Sequence, residues 1–432
     1  MPSSNENILE ILKAREARAA RQNRFLAQCG RGLLSFSMNI PGPVKDTPLI
    51  RLAFYEGRRR LRTRMEPLRE ELCFDAAGPA LLWAVDMDTA ALKHICEEIE
   101  EGSELGRLFD MDVLDERGEK RSRSRPRKCL LCGEDARLCA RSRRHGLDAV
   151  VAETERRLLD FAAALHGDRA VEALLTELYT TPKPGLVDRN NAGAHTDMDV
   201  PLFEKSAFAL RAYFCDAFRI GCGGGAERET MEALRQRGVE AEKEMFAATS
   251  GVNTHKGMVY TMGLLLGGAG RAFAMGGDPV GRGAELARSD FAEIMAAAAA
   301  CADTHGARLY AEKGIRGIRG EAADGFPHAC RAAARLREGA AATTVLLELM
   351  AELEDTNVLH RAGERGAAMV KREAERVLAL PEAEREAALL ALDREFIREN
   401  ISPGGAADTL AAGIFLSHAE RLWREAGLQR GW

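Results

Sequence analysis

From Leu147 nearly to its end the chain is a succession of long Ala-, Leu- and Glu-rich stretches with helical period, and this limits its fold most. The stretches fall at 147–179, 203–220, 227–249, 256–274, 283–312, 325–336, 341–354, 361–379, 383–398 and 406–426. Apolar residues every three to four positions make one helix face, and short polar breaks force each helix to pack against near neighbours. The pattern predicts an all-α domain of about ten helices. No repeat of fixed period runs through it. Residues 221–225 and 276–283 read as flexible loops.

The first part has another texture. Residues 1–25 read as an amphipathic helix with Ile8, Ile11, Leu12 and Ala19 near one face. Residues 32–40 and 80–85 are strand candidates; 49–64 and 89–101 look helical. A strand carrying Asp110 and Asp112 follows, then a turn near Glu116 to Gly118 and a returning polar strand. Strands and helices without a long parallel series read as α+β. The expected organisation is therefore an α+β domain over 1–150 and the all-α domain over 151–432, with the boundary between about 145 and 155 and no low-complexity linker to mark it.

Several classes are excluded. A net charge of −5 implies no general polyanion-binding surface, so nucleic acid is not an expected partner. No run approaches the roughly 18 apolar residues of a membrane helix. The N-terminus lacks the apolar core of a secretory signal, so a cytoplasmic location with ten reduced cysteines is expected.

The chemistry-bearing residues sit in the breaks. After the helix-forming run with Leu174, Leu175 and Leu178, Pro182 and Pro184 hold the chain extended, while Gly185 and Gly193 permit sharp turns. Lys183, Asp188, Asn190, Asn191, His195, Asp197 and Asp199 crowd this stiffened loop. Such density costs stability and suits a site, although surface turns share the composition. Asn253, Thr254, His255 and Lys256 precede a helix, where an N-terminus favours phosphate. Lys313, Arg316, Arg319, Glu321 and Asp324 lie between glycines; Asp355 opens a polar patch; Asn400, Ser402 and Asp408 flank Pro403-Gly404-Gly405. None is a phosphate-binding P-loop or a dinucleotide fingerprint. Five such loops in one helical domain suggest convergence on a polyphosphate and a divalent ion. From residues alone this points to a Mg²⁺-dependent enzyme acting on a nucleotide.

In the first domain, Asp110 and Asp112 at i and i+2 share one strand face, leaving Phe109, Met111 and Val113 for a core. Two carboxylates held together repel unless a cation sits between them, so Mg²⁺ is one reading and a solvated strand face the other. Asp86 and Asp88 share the spacing, but Asp88 stands where a helix cap is needed. Cys129, Cys132, Cys139 and His145 follow the spacing C-x2-C-x6-C-x5-H. This suits structural zinc or buried free thiols, and both readings stay open. Surrounding arginines form a local positive patch, either a solvated face or a contact for phosphate.

Read together and in order, TTPKPGLVDRNNAGAHTDMD, GVNTHKG, GIRGIRGEAADGF, DTNVLHR and SPGGAAD resemble the triphosphoribosyl-dephospho-CoA synthase family. The Arg15-Glu16-x-Arg18 helix, NIPGPVK, GRLFDMDV and the Cys129–His145 cluster are similar to the citrate lyase holo-acyl-carrier-protein synthase family, the apo-citrate lyase phosphoribosyl-dephospho-CoA transferases. The chain thus resembles a bifunctional fusion. The resemblance implies that the second domain joins ATP to 3′-dephospho-CoA with loss of adenine. The first, nucleotidyltransferase-like, would transfer the product to a serine of the citrate lyase acyl carrier protein (the gamma subunit) with loss of pyrophosphate. On this reading Lys183, Asn253, Lys256, Arg316, Arg319, Ser402, Gly404 and Gly405 hold ATP and dephospho-CoA. His195, His255, Asp197 and Glu321 are catalytic, and Asp197, Asp199, Asp355 and Asp408 face Mg²⁺. Asp110 and Asp112 hold metal in the first domain, with Lys45 and Arg107 on phosphate. The alternatives are a carrier-binding half without activity, prosthetic-group synthesis for malonate decarboxylase, and a nucleotide glycosidase in which water replaces the ribose hydroxyl.

Overall fold

A computed structural model describes residues 4–29, 32–293, 295–296 and 305–428. The described residues divide into two compact units, one up to Ala162 together with 423–428 and one of 163–422. No linker stands at the first division, which falls within a continuous helix, Leu147–Tyr179.

The first unit is built on a four-stranded antiparallel sheet, β1 (Leu33–Met38), β2 (Arg69–Asp75), β3 (Gly78–Ala84) and β4 (Phe109–Leu114), in the order β2-β3-β1-β4. One sheet face contributes Leu34, Phe36, Leu81, Trp83, Phe109, Met111 and Val113 to a core closed by α2 (Pro48–Arg62) and α3 (Thr89–Glu101). Phe36 stacks on Phe54 of α2 and meets Phe109 edge-on. The other face carries Leu33, Leu82 and Ala84 against Phe25 of α1 (Ser4–Cys29). β4 is an edge strand, and side chains satisfy its outer rim. Glu100 accepts from the Met111 N–H, and Lys93 donates to the Met111 carbonyl, each at 2.8 Å.

The expected first helix forms, but with a different buried face. Ile11 and Phe25 are buried, whereas Ile8 and Leu12 are about half exposed. The sequence reading missed β2, whose alternating exposure (Arg69, Leu72 and Phe74 are open) hides its apolar signal. The returning strand after Gly118 reduces to one bridge, Leu114 to Lys120. Asp88 caps α3 as its position suggested, accepting from the N–H groups of Ala90 and Ala91. A short helix, α4 (Ala136–Ser142), follows the cysteine-rich turn.

The second unit is helical: the remainder of α5 (Leu147–Tyr179), α6 (Val200–Ala209), α7 (Arg211–Cys222), α8 (Glu227–Ala248), α9 (Lys256–Met275), α10 (Pro279–Ser289), α11 (His305–Lys313), α12 (Gly317–Ala323), α13 (Pro327–Arg337), α14 (Ala342–Glu352), α15 (Thr356–Leu378), α16 (Glu382–Arg398) and α17 (Gly404–Glu425). α9 is the buried centre and reads GLLLGGAG in its middle. A Cβ at Gly221 or Gly270 would strike backbone oxygen of the neighbouring helix at 2.1 Å, so α7 and α9 touch through backbone. The stretch 276–283 is not a loop throughout. Asp278 caps α10, with Pro279 at its first position, a start the glycines obscured. The stretch 203–220 is two helices meeting at Leu210. The predicted helix over 283–312 is described only at its ends, and its middle, 297–304, lies outside the described residues. No helix among the described residues is long and apolar enough to cross a membrane.

Candidate functional site

The loop after α5 is braced from within and from α16. Asp188 accepts from the backbone N–H groups of Lys183, Asn190 and Asn191. Asp393 accepts from the Gly185 N–H at 2.9 Å and the Asn191 side chain at 2.7 Å. Gly185 has φ +70°, and a Cβ there would lie 2.2 Å from the Ile401 carbonyl oxygen, so the loop presses directly on the break before α17. Thr181–Pro182 is a cis peptide bond.

This bracing turns Lys183 and His195 into a cavity of about 730 Å³ in the second unit. All five polar breaks reach its wall: Lys183 and His195; Asn253 to Gly257; Arg316 to Asp324; Glu352 to Asn357; and Ser402 to Asp408. The first turns of α9, α15 and α17 lie on the wall, bringing the positive ends of their dipoles with them. A second cavity of about 370 Å³ adjoins, and Lys256, Gly257, Arg316 and Ile318 line both.

Carboxylates are the unusual content of this wall. Glu177, from the last turn of α5, pairs with Lys183 at 2.5 Å, and both are buried. Burial, with Asp188 nearby, raises the Glu177 carboxyl despite the Lys183 charge. Asp408 is enclosed by protein on all sides but the cavity, and burial, with Glu177 and Asp355 next, pushes its carboxyl well above the usual range. It has no ion pair among the described residues. Gly257 makes room for it, since a Cβ there would lie 2.4 Å from Asp408 Oδ2. Asp355 is raised by burial too, but its oxygens are already used. One accepts from Asn357 and Val358, capping α15; the other accepts from Ala406 at 3.1 Å.

The two expected histidines differ. His195 is half-buried, with Nε2 2.9 Å from Ser402 Oγ. Burial, then the Arg361 charge, lowers its pKa, and Asp197 opposes the shift. His255 is buried, with Nδ1 2.7 Å from Ser206 Oγ and its ring edge-on to Phe203. Burial and the nearby Lys183 bring it down to about 3, so it is a neutral imidazole at ordinary pH. Glu321 accepts from His328 Nδ1 at 2.7 Å and from the His328 N–H at 2.8 Å, and both side chains line the cavity.

Other expectations meet a different placement. Asp199 caps α6, accepting from the Leu202 N–H, and neither it nor the exposed Asp197 lines the cavity. Between the two, Met198 does line the cavity, so in this arrangement the segment turns both carboxylates away from the wall. Asp355 is foremost a helix cap. Arg319 lines the second cavity rather than the first. Lys256 pairs with Glu242 at 3.1 Å, and Arg316 pairs with Asp324. Asn253, Ser402, Gly404 and Gly405 all line the first cavity. Glu177, Asp393 and His328 were missed. Glu177 looks like any helix-surface glutamate, and its only signal is its place one turn before the prolines.

In the first unit Asp110 and Asp112 share the sheet face opposite the core, across from Ser37 and Ser35. The intervening Phe109, Met111 and Val113 are fully buried, as the alternation required. Asp112 pairs with Lys120 at 2.5 Å, and Asp110 lies 3.7 Å from Arg127. Partial burial and the Asp112 charge raise the Asp110 carboxyl. Arg107 donates to the Lys128 carbonyl, and burial with Arg127, Arg123 and Arg157 nearby lowers its pKa. Lys45 donates to the Ile40 carbonyl; burial and the Arg15 charge lower its pKa. Beyond Arg107, the side chains of Cys129, Cys132, Cys139 and His145 cluster, with all four ligand atoms within 4.8 Å of one another.

Residues 163–426 match the family described as ATP:dephospho-CoA triphosphoribosyl transferase, and residues 6–161 match apo-citrate lyase phosphoribosyl-dephospho-CoA transferase. The chain is 32% identical to Protein CitXG of Haemophilus influenzae, with 94% of each chain covered. Against Protein CitXG of Leuconostoc mesenteroides it is 31% identical, with 95% of this chain and 97% of that one covered. A probable 2-(5″-triphosphoribosyl)-3′-dephosphocoenzyme-A synthase of Albidiferax ferrireducens is 40% identical over 59% of this chain and 91% of its own. With its helical cavity and its sheet-borne carboxylate pair each inside one of the two matched segments, the chain belongs to the family of bifunctional transferases that fuse apo-citrate lyase phosphoribosyl-dephospho-CoA transferase to ATP:dephospho-CoA triphosphoribosyl transferase.

Proposed function

We propose that the cavity of the second unit binds ATP and 3′-dephospho-CoA and joins them, and that the part of the first unit's sheet carrying Asp110 and Asp112 attaches the product to a serine of the citrate lyase acyl carrier protein. The protein makes and attaches the citrate lyase prosthetic group. The observation that carries the assignment is the convergence of five polar breaks on one cavity lined by Lys183, Lys256, Arg316, helix N-termini and Asp408, which has no ion pair among the described residues.

In the first reaction the 2′-hydroxyl of dephospho-CoA attacks C1 of the ATP ribose. The C–N bond to adenine breaks, and the triphosphate stays attached. Lys256, Arg316 and the first turns of α9, α15 and α17 bind the triphosphate and cannot cleave it without a placed nucleophile. His195, neutral and held by Ser402, takes the hydroxyl proton. His328, oriented by Glu321, returns a proton to departing adenine. Asp408 stabilises the positive charge that develops on the ribose. Mutual repulsion among Asp408, Glu177 and Asp355 also fits a divalent cation: Asp408 with Glu177 would hold Mg²⁺, which neutralises phosphate charge when bound.

In the second reaction the carrier serine attacks the α-phosphorus and pyrophosphate leaves, a nucleotidyltransferase-like step. Asp110 and Asp112 would hold Mg²⁺ there, since Asp112 already opposes ionisation of Asp110. Arg107 and Lys45 would meet the phosphates. The gamma subunit of citrate lyase is the carrier.

The test is to incubate the protein with ATP and Mg²⁺, with and without dephospho-CoA, and to measure adenine. Release should require dephospho-CoA; release that ignores it would make the unit a nucleotide glycosidase. Mass spectrometry of apo carrier protein then reads attachment.

A further inference from the structure

The cysteine cluster lies outside both reactions, and its backbone is built as a metal-binding turn. Lys128 and Asp135 form an antiparallel bridge, closing a hairpin around CLLCGE. Inside it the Cys129 N–H donates to the Glu134 carbonyl at 2.5 Å and the Gly133 N–H to the Cys129 carbonyl at 3.3 Å. Gly133 has φ +74°, a conformation glycine adopts without strain. This turn points Cys129 and Cys132 to the same side. Asp135 then caps α4, which brings Cys139 back to the pair, and Arg143 ends α4 in the left-handed region, which returns His145. Cys132 Sγ is 3.5 Å from Cys139 Sγ and 3.3 Å from His145 Nε2. Zn–S bonds of about 2.3 Å in a tetrahedron put neighbouring ligand atoms roughly 3.5–4 Å apart. A disulfide needs about 2 Å, which excludes bonding in this arrangement. Cys132 is exposed and Cys139 buried, so the group is not a set of thiols hidden in a core.

We propose that Cys129, Cys132, Cys139 and His145 bind one zinc ion. Three thiolates and an imidazole complete its shell, leaving no open position for substrate, so the ion is structural. It fixes the hairpin on which the first unit's arginines rest. Arg107 donates to the Lys128 carbonyl, Arg157 to the Leu130 carbonyl at 3.2 Å, and Arg127, which faces Asp110, accepts from Ala136 through its own carbonyl.

The full chain, purified without chelator after growth with added zinc, should hold about one zinc per chain by mass spectrometric metal analysis. An organomercurial thiol reagent should release that zinc. Cys132→Ser and Cys139→Ser should each lose most of it, whereas Cys73→Ser should keep it. Cobalt substitution should give intense thiolate-to-metal charge-transfer absorption. Zinc below about a tenth of an equivalent, or zinc unchanged in both cluster variants, or an intact-mass loss showing a disulfide among these cysteines, overturns the proposal. For the arginines, Cys132→Ser should lower carrier attachment about tenfold with adenine release within about twofold of the parent. Unchanged attachment in a zinc-free variant would leave the ion without that positioning role.

Discussion

The two units each concentrate carboxylates, and they do so in opposite ways. On β4 the carboxylates of Asp110 and Asp112 stand two residues apart, 45% and 27% exposed, and each faces a cation on the segment that follows. In the helical unit Glu177, Asp355 and Asp408 come from three distant stretches and are enclosed, and among the described residues only Lys183 and backbone N–H groups offset their charge. A half-buried pair flanked by Lys120 and Arg127 keeps part of its surface in water and has a cation beside each carboxylate. An enclosed set is costly to ionise, and on the proposed function phosphate and cation would relieve that cost. The difference fits the proposed division: a carrier protein needs access from solvent, whereas a reactive ribose centre needs a site that excludes water.

The sharpest break in this comparison is Asp408→Asn. Adenine release should fall by about 10³-fold, because the variant keeps the shape and loses the charge facing the ribose. The melting temperature should hold or rise, above all at pH above the ordinary carboxylate range. The sign follows from the raised carboxyl: stability is greatest below the ordinary carboxylate range and is lost as pH climbs through the raised value. A lowered melting temperature would make Asp408 a structural residue. Next in size, Asp110→Asn should cut attachment to the carrier by about 10²-fold and leave adenine release intact. If both activities fell together in a folded protein, the separation of labour between the units would be wrong.

The third contrast is acid sensitivity. His255 titrates near 3 in the fold against an ordinary value of 6.5, so the unfolded chain takes up a proton first as pH falls. Between pH 6.5 and 5 this should cost the helical unit about 2 kcal/mol, and the loss should continue toward pH 3. His255→Gln should flatten that slope in urea melts followed at several pH values; an unchanged slope would place the acid sensitivity elsewhere. The smallest expected effect is that of Gly257→Ala. Its added methyl pushes on Asp408 and should lower adenine release about tenfold with attachment untouched.

Much of the first unit's face was readable because a strand has period two. Once Phe109, Met111 and Val113 were assigned to a core, Asp110 and Asp112 had to share the opposite face. The cavity was readable only as a set of polar breaks. Asp199 shows the limit: its spacing from Asp197 resembles a ligand pair, but it stands one residue before a helix, where the Leu202 N–H claims one of its oxygens. Asp393 shows the converse, a residue inside an amphipathic helix that fixes a loop some two hundred positions away.

The sequence by itself determined the helical texture after Leu147, the strand with its carboxylate pair, the close cysteine spacing and the family. Periodicity and local turn chemistry are enough for the first three, because each depends on residues within a few positions. Only the tertiary structure decided that Glu177 and Lys183 form a buried pair, that Asp408 is enclosed beside Gly257 with no ion pair among the described residues, and that His255 is neutral. Burial and electrostatics depend on which distant elements meet, and no local pattern in the chain encodes that meeting.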